Sequence, residues 1–212
     1  YEDAEGEHGH IVTPVEILKK VTKEGFENGF QVCTHAIGDM ANREVLNIYN
    51  EHLYEGNNYR FRIEHAQHID LIDIPRFKEL GVIMIEQPLP ADQDSQLASI
   101  PHPIAVCADE SCHDTSTLKG LVGKYEMINI KLDKTGGLTE ALELKEAASN
   151  LGFQIMVGCM IGTSLAMAPG LVAGQGASVV DLDGPLLLKD DREHCLEFIG
   201  STINVPSSLL WG

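Results

Sequence analysis

One pattern occurs seven times along the chain: a short apolar run that ends in a polar residue. The ends of successive runs lie roughly 21 to 30 residues apart, which suits one strand, one crossover helix and two loops. Alternating strands and helices predict an α/β fold with a parallel sheet, and continuous apolar runs are typical of strands buried on both faces. The predicted strands are Phe30–His35, Phe61–His65, Val82–Glu86, Ile104–Asp109, Met127–Lys131, Phe153–Cys159 and Ala177–Asp181.

Four of the connecting segments carry a clear helical pattern. Thr13 and Pro14 are typical of a helix start, because threonine caps a helix and proline suits its first turn. Gly152 is a stop signal for the clearest helix, in which leucine and alanine recur at helical spacing. The predicted helices are Val15–Glu27, Asn42–Leu53, Ile74–Leu80 and Leu138–Leu151.

Seven parallel strands with crossover helices predict a TIM-type (βα) barrel, and a partial one, because a closed barrel of this type has eight strands. The eighth strand would be absent, supplied by a partner chain, or supplied by the tail, where Ile203–Val205 is a short candidate. An open doubly wound sheet is the alternative, although no glycine-rich dinucleotide fingerprint follows any strand. After Asp190 the pattern breaks, and residues 191–212 are expected to pack on the barrel as a C-terminal extension.

The composition narrows the classes of partner and the compartment. The net charge of -17 argues against nucleic acid and anionic membrane surfaces as partners. The 5 cysteines form no CxxC pair, which favours a reduced, cytoplasmic protein. No apolar run reaches the ~18 residues of a membrane span, and no signal peptide is visible.

In a parallel barrel the carboxyl ends of the strands form one face, and active sites lie there. Glu86 and Asp109 follow two apolar runs, and their carboxylate oxygens suit Mg²⁺; each could instead cap the turn that follows it. Lys131 follows the next run, where a nearby cation would favour the neutral amine and make it a general base. The alternative is a salt bridge from Lys131 to Asp109 or Glu110.

Two further pairs of residues lie at predicted strand ends. Asp181 and Asp183 are two residues apart, so on a continuing strand both would point to the same side and could hold a substrate ammonium group. The alternative for this pair is a loop turn. His35 and His65 end the first two strands, and because neutral imidazole is a common Zn²⁺ ligand, they form the alternative metal site.

The second half of the chain resembles the catalytic barrel of the enolase superfamily, and within it the dipeptide epimerases of the muconate-lactonising subgroup. The resemblance implies that Glu86 and Asp109 bind Mg²⁺ and that Lys131 is an acid/base at the α-carbon of the substrate. It further implies that Asp181 and Asp183 hold the ammonium group of a dipeptide. The matching segments are Met84–Pro90, Ala108–Ser111, Ile128–Gly137, Val157–Met160 and Val180–Pro185.

Residues 1–84 resemble a different family, the metal-dependent amidohydrolases, in the branch related to formamide deformylases. In that family the histidines that match His35 and His65 are metal ligands. The matching segments are Thr34–Asp39, Arg62–Gln67 and Asp73–Val82. The two resemblances together predict a chimera: an amidohydrolase-like segment over 1–84, an enolase-like segment over 85–190, and the extension over 191–212.

The leading functional prediction is an isomerase of the dipeptide epimerase type, with Mg²⁺-assisted abstraction of an α-proton from a small dipeptide. We expect impaired activity, because the 212 residues contain no Lys-x-Lys pair for the opposite face and lack one acidic metal ligand of the family. Glu110 and Lys134 are expected to support the metal and base residues rather than to contact the substrate. The alternatives are a Zn²⁺-dependent amidohydrolase-like hydrolase and a folded inactive barrel. A homo-oligomer would cover exposed strand edges.

Overall fold

The computed structural model describes residues 9–54, 59–66, 68–70 and 72–211, without the side chain of His65. The chain forms two compact units. The first comprises residues 1–94 and 100–106, and the second comprises residues 95–99 and 107–212. Both contain parallel β-strands that alternate with helices, so the predicted α/β class is confirmed.

The first unit alternates three helices with three strands. Strands β1 and β2 pair in parallel, with His35 opposite Glu64 and Ala36 opposite His65. The elements are α1 (Val15–Glu27), β1 (Cys33–Ala36), α2 (Asp39–Asn50), β2 (Arg62–His65), α3 (Ile74–Glu79) and β3 (Met84–Glu86). Strand β4 (Ala105–Ala108) begins in this unit and ends in the second.

The core of the first unit is rich in aromatic side chains. Phe26, at the end of α1, stacks on Tyr59 with 4.3 Å between ring centroids, and Tyr49 of α2 stacks on Phe61 at 4.9 Å. Leu46 of α2 is fully buried beside them. Burial of such side chains is the main force that holds a helix against strands as short as these.

The second unit carries the more regular sheet. Strands β4, β5, β6 and β7 are neighbours in sequence order and pair in parallel. The elements after β4 are β5 (Met127–Ile130), α4 (Leu132–Thr135), α5 (Leu138–Asn150), β6 (Gln154–Val157), α6 (Ser164–Ala173), β7 (Val179–Val180), β8 (Phe198–Ile199) and β9 (Thr202–Ile203). All four residues of β5 are buried, and all but Asn129 are apolar, as is typical of a strand covered on both faces.

Helix α5 packs against β5 and β6 through small and branched apolar residues. Ala141, Leu144 and Ala148 recur at helical spacing and are fully buried. Gly152 has a φ of 89° and follows the helix directly, so the chain can turn back into β6. This geometry sets the carboxyl ends of β5 and β6 side by side.

All seven predicted strands are present, although each is shorter than its apolar run. The bounds of α1 match the prediction, and α2 begins three residues before the predicted start. Helix α6 was missed, because Pro169 and Gly170 interrupt its pattern. The tail candidate Ile203–Val205 was wrong as a barrel strand, since Ile203 pairs antiparallel with Phe198 in a small hairpin.

The boundary between the two compact units lies in 94–107, downstream of the seam expected at 84/85. The assignment of 1–84, 85–190 and 191–212 to different origins therefore stays a prediction. None of the helices in the described part of the chain is long and apolar enough to cross a membrane.

Candidate active site at the strand ends of the second unit

Strands β4 to β7 run in the same direction, so their carboxyl ends meet at one edge of the sheet. A polar residue follows each strand at this edge. Asp109 follows β4, Lys131 follows β5, and Asp181 follows β7, while Gly158 and Cys159 follow β6. The order of strands in the sheet brings these residues together although they are spread over more than seventy positions.

Asp109 lies between two lysines. Its Oδ2 accepts a hydrogen bond from Lys131 Nζ at 2.6 Å, and its Oδ1 accepts one from Lys134 Nζ at 2.6 Å. The three side chains are largely buried, with 10% of Asp109, 13% of Lys131 and 8% of Lys134 exposed. The salt bridge that was the alternative reading of Lys131 is therefore present, and it joins the two residues expected to be base and metal ligand.

Burial acts to raise the pKa of Asp109, but the charges and hydrogen bonds of Lys134 and Lys131 outweigh it. The pKa of Asp109 consequently lies below its ordinary value, and the side chain is an ionised carboxylate near neutral pH. An ionised carboxylate at a strand end supplies the hard oxygen atoms that Mg²⁺ requires.

Lys134 is held by a short turn. Lys131 has an extended backbone and precedes α4, and Gly136 ends that turn with a φ of 77°. Within the turn Lys134 N donates to Lys131 O at 3.0 Å, which folds the chain back toward the strand end. Lys134 Nζ then also reaches two main-chain oxygens, Asp109 O at 2.6 Å and Asn129 O at 2.9 Å.

Gly158 allows β6 to lie close to β5 at this edge. A Cβ atom on Gly158 would come within 2.7 Å of Asn129 Oδ1, and Asn129 is 1% exposed. Gly158 N donates to Ile130 O at 3.0 Å, and the Asn129 side chain lies against the place that a Cβ atom would take. Asn129 and Gly158 were not among the residues predicted from the sequence, although a glycine near the end of an apolar run was a visible signal.

The electrostatic surroundings of Cys159 indicate that the ends of β5, β6 and β7 lie close to one another. Burial raises the pKa of its thiol, and the carboxylates of Asp183 and Asp181 raise it further. A hydrogen bond from Gly184 and the charge of Lys131 act in the opposite direction. The thiol therefore lies within electrostatic reach of both the lysine and the aspartate pair.

The strand argument for Asp181 and Asp183 was wrong. Strand β7 ends at Val180, and Asp183 has φ -84° and ψ -1°, a helical conformation, so the pair does not lie on a continuing strand. Leu182 between them is 2% exposed, whereas Asp181 is half-buried and Asp183 is exposed. Both carboxylates nevertheless remain at the edge that carries Lys131.

Glu86 was predicted as a metal ligand and Glu110 as a supporting residue. Glu86 ends β3 in the first unit and is half-buried. Glu110 is exposed beside Asp109. Lys134 contacts Asp109, and its supporting role likewise stays a prediction. The roles of Glu86 and Glu110 stay predictions.

The alternative zinc site receives little support from the first unit. His35 and His65 lie on paired strands but are not partners in register, and His35 is exposed. The side chain of His65 lies outside the described part of the structure. Among the described residues no group of three or more histidine, cysteine, aspartate or glutamate side chains is placed to hold a metal ion.

Comparison with known families identifies the fold. The model of the enolase C-terminal domain-like family matches residues 55–206, more than half of the chain. The chain belongs to the enolase C-terminal domain-like family. The match begins inside the segment that resembles an amidohydrolase, and the amidohydrolase resemblance of residues 1–84 stays a prediction.

Two relatives are similar over more than half of the chain. The L-Ala-D/L-Glu epimerase of Escherichia coli (strain K12) is 55% identical over 120 residues, which are 57% of this chain and 37% of that protein. The N-acetyl-D-glutamate racemase of a Pseudoalteromonas species is 50% identical over 140 residues, which are 66% of this chain and 44% of that protein. The chain thus matches about two fifths of the length of these relatives.

Two solved structures share the fold of this family member. An enolase family member from Agrobacterium tumefaciens, with homology to dipeptide epimerases and with bound sodium and L-Ala-L-Glu, has a TM-score of 0.77 and 41% identity. It covers 95% of this chain, which covers 61% of it. The dipeptide epimerase from Methylococcus capsulatus, complexed with Mg and L-Arg-D-Lys, has a TM-score of 0.75 and 27% identity, with coverage of 92% and 58%.

Proposed function

We propose that this chain carries the part of a dipeptide epimerase active site that moves the α-proton on one face of the substrate. The observation that carries the proposal is the buried pair of Lys131 and Asp109, joined at 2.6 Å where two parallel strands end. A buried lysine at a strand end is costly unless it is paired, and pairing with an ionised carboxylate holds its amine at a defined place. The Escherichia coli relative is named as an epimerase, and the Agrobacterium tumefaciens protein is described as homologous to dipeptide epimerases. Both descriptions agree with transfer of a proton at this edge of the sheet.

In the proposed reaction the Lys131 amine, in its unprotonated form, accepts the α-proton: the C–H bond breaks, an N–H bond forms, and the electron pair moves toward the substrate carboxylate. Asp109 orients the amine through Oδ2 and returns it to the same position after each transfer. Asp181 and Asp183 supply negative charge at the same edge for the ammonium group of a dipeptide.

The carboxylate oxygens present fit Mg²⁺, because this ion binds through one or two carboxylates and keeps waters and substrate oxygens as its other ligands. Asp109 would hold it in the second unit, and Glu86 is the further ligand predicted from the sequence. When bound, Mg²⁺ would stabilise the negative charge that develops on the substrate carboxylate. The donor set is poor in the thiolate and imidazole groups that zinc prefers.

We propose a dipeptide such as L-Ala-L-Glu as the substrate. The Escherichia coli relative is named for L-Ala-D/L-Glu, and the Agrobacterium tumefaciens protein was solved with L-Ala-L-Glu. The racemase relative is named for N-acetyl-D-glutamate, which shares an acylated glutamate with this dipeptide. The shared chemistry is therefore an N-acylated amino acid with an acidic side chain.

The test is incubation of the chain with L-Ala-L-Glu and Mg²⁺ in D₂O, followed by proton NMR. We expect the glutamate α-proton signal to fade while the configuration is retained, because the 212 residues offer one candidate lysine and no Lys-x-Lys pair. Lys131→Met should abolish the exchange. Lys145→Met is the matched control, because Lys145 donates to the main-chain oxygens of Ala173 and Gln175 and not to the aspartate.

Two results would contradict the proposal. Absence of exchange in the wild-type chain at saturating Mg²⁺ would remove the claim that Lys131 acts at the α-carbon. Rapid formation of L-Ala-D-Glu would show that a second acid/base group is present and that Lys131 is not the only group that moves the proton.

We further propose that the parallel strands form part of a TIM-type (βα) barrel of about seven strands. The likeness to the two solved structures over nearly the whole chain supports this architecture. We also propose a reduced, cytoplasmic location, since the five cysteines of the sequence form no CxxC pair. Sedimentation analysis would settle whether the chain is a monomer or a homo-oligomer.

A further inference from the structure

Resting on the proposed function, we infer that Lys134 is a positioning residue, which clamps the Asp109 carboxylate so that Oδ2 is held against Lys131. The clamp is visible in three contacts. Lys134 Nζ lies 2.6 Å from Asp109 Oδ1, 2.6 Å from Asp109 O and 2.9 Å from Asn129 O. An ammonium group has three hydrogen-bond donors, so these acceptors use all of them.

The two contacts to Asp109 have a geometric consequence. One cation bridges the main-chain oxygen and a carboxylate oxygen of the same residue, which restricts rotation of the side chain about both of its torsions. The contact to Asn129 O ties this cation to β5, and therefore to the strand that delivers Lys131. Oδ1 is thus occupied, and Oδ2 is the oxygen that faces Lys131.

The surroundings of Lys134 also exclude a role in accepting a proton from the substrate. Its side chain is 8% exposed, and its three donors are directed into the protein. Lys131 is on the same turn and binds the opposite oxygen of Asp109. The two lysines therefore have different roles at one carboxylate. Lys134 fixes the direction of the Asp109 carboxylate, and that carboxylate holds the amine of Lys131.

A purely structural lysine is available in the same unit for comparison. Lys145 donates to Ala173 O at 2.8 Å and to Gln175 O, and the contacts found for it include no carboxylate. Loss of Lys145 removes hydrogen bonds to the main chain without changing the charge at the strand ends. Lys145→Met is therefore the control for loss of a hydrogen-bonded lysine in the second unit.

The experiment compares Lys134→Met, Lys134→Arg and Lys145→Met with the wild-type chain. The first readout is the crystal structure, in which we expect the Asp109 carboxylate to turn away from Lys131 only in Lys134→Met. The second is Mn²⁺ binding by electron paramagnetic resonance, which we expect to be tighter in Lys134→Met because a neighbouring positive charge is gone. A role confined to stability would leave the Asp109 carboxylate in place, so its direction in the crystal decides whether Lys134 is a clamp.

The third readout is exchange of the α-proton of L-Ala-L-Glu. We expect kcat to fall by about 100-fold in Lys134→Met with KM little changed, since a small misplacement of a catalytic group has this effect. Lys134→Arg keeps the charge and the donors, and should recover most of the rate. If Lys134→Met does not fold, Lys134→Gln replaces it, because the amide keeps two donors without the charge.

The readouts separate the two proposals. A wild-type chain without exchange or Mn²⁺ binding overturns the proposed function, and the direction of Asp109 in the Lys134→Met crystal still decides whether Lys134 is a clamp. If the wild-type chain exchanges the proton and Lys134→Met matches it in rate and in the direction of Asp109, the inference about Lys134 is overturned alone.

Discussion

At the scale of single residues, Tyr49 shows how a polar group can lie inside an aromatic core. Its hydroxyl lies 2.8 Å from Thr34 Oγ1 and 2.8 Å from Arg62 O, so α2 is joined to both β1 and β2. The residue is 1% exposed. Burial disfavours the phenolate and raises the pKa of Tyr49 to about 12.

The raised pKa of Tyr49 predicts a loss of stability in alkaline solution. An unfolded tyrosine has a pKa of about 10, so between about pH 10 and 12 the unfolded state releases a proton that the folded state keeps. The stabilisation is complete below about pH 10 and falls as the pH rises toward 12, by about 2 kcal/mol in total. Urea unfolding near pH 9 and pH 11.5 measures this change.

Tyr49→Phe is the control for that measurement. It should be less stable near pH 9, because it loses hydrogen bonds that join three elements, and its stability should decline less between the two pH values. Equal declines in the wild-type and Tyr49→Phe chains would contradict the assignment of the alkaline loss to this phenol.

The residue scale is also where the sequence was least informative about the site. Glu86, Asp109 and Lys131 were selected because each ends an apolar run, and the structure brings Asp109 and Lys131 into contact. The positions at which the apolar runs end do not predict which lysine contacts which oxygen of Asp109. Lys134 contacts Asp109 only because a four-residue turn reverses the chain, and that turn has no pattern long enough to predict.

At the scale of elements, Asp191 connects the C-terminal extension to α6. Its carboxylate accepts a hydrogen bond from Ser164 N at 3.0 Å and one from Ser164 Oγ, at the first residue of the helix. Leu196 N in turn donates to Ser164 Oγ at 2.9 Å. A carboxylate at a helix N-terminus satisfies free N–H groups and interacts favourably with the helix dipole.

This contact predicts that Asp191→Ala destabilises the second unit by about 1 to 2 kcal/mol, because buried Ser164 loses its partner. The neighbouring Asp190→Ala is the matched control, since Asp190 is exposed. Urea unfolding followed by circular dichroism measures both variants. Equal stability of the two variants would show that the extension is not held at this point.

Element existence was easier to predict than element ends. Periodicity over ten or more residues found α1 and α5, because a buried helical face must recur every three to four positions. It missed α6, whose pattern is interrupted by Pro169. Strand β7 has two residues, so its end depends on pairing with Val157 of β6 rather than on its own sequence.

At the scale of the whole molecule, the chain carries 32 acidic and 15 basic side chains. Like charges in excess repel one another in the compact state, and salt screens this repulsion over about 10 Å at about 0.1 M. We therefore expect the midpoint of thermal unfolding to rise as NaCl increases from about 10 to about 200 mM. Differential scanning calorimetry measures the midpoint.

Choline chloride at equal ionic strength is the control for this salt effect. Screening by a bulky monovalent cation should raise the midpoint as NaCl does, whereas Mg²⁺ bound at Asp109 should raise it further at the same ionic strength. Asp109→Asn should remove the extra rise. A midpoint that falls with NaCl would show that ion pairs such as Lys19–Glu51 outweigh the net repulsion.

The sequence by itself determined the alternation of strands and helices, the parallel sheet and the family, because these depend on patterns repeated over many residues. It also indicated that Asp109 and Lys131 would meet, since the carboxyl ends of parallel strands converge. Only the tertiary structure decided that Lys134 closes on Asp109, that β7 stops before Asp181, and that Ile203 joins a hairpin. These features depend on single turns and on side-chain packing. Distances of about an ångström determine them, and no repeated sequence pattern predicts them.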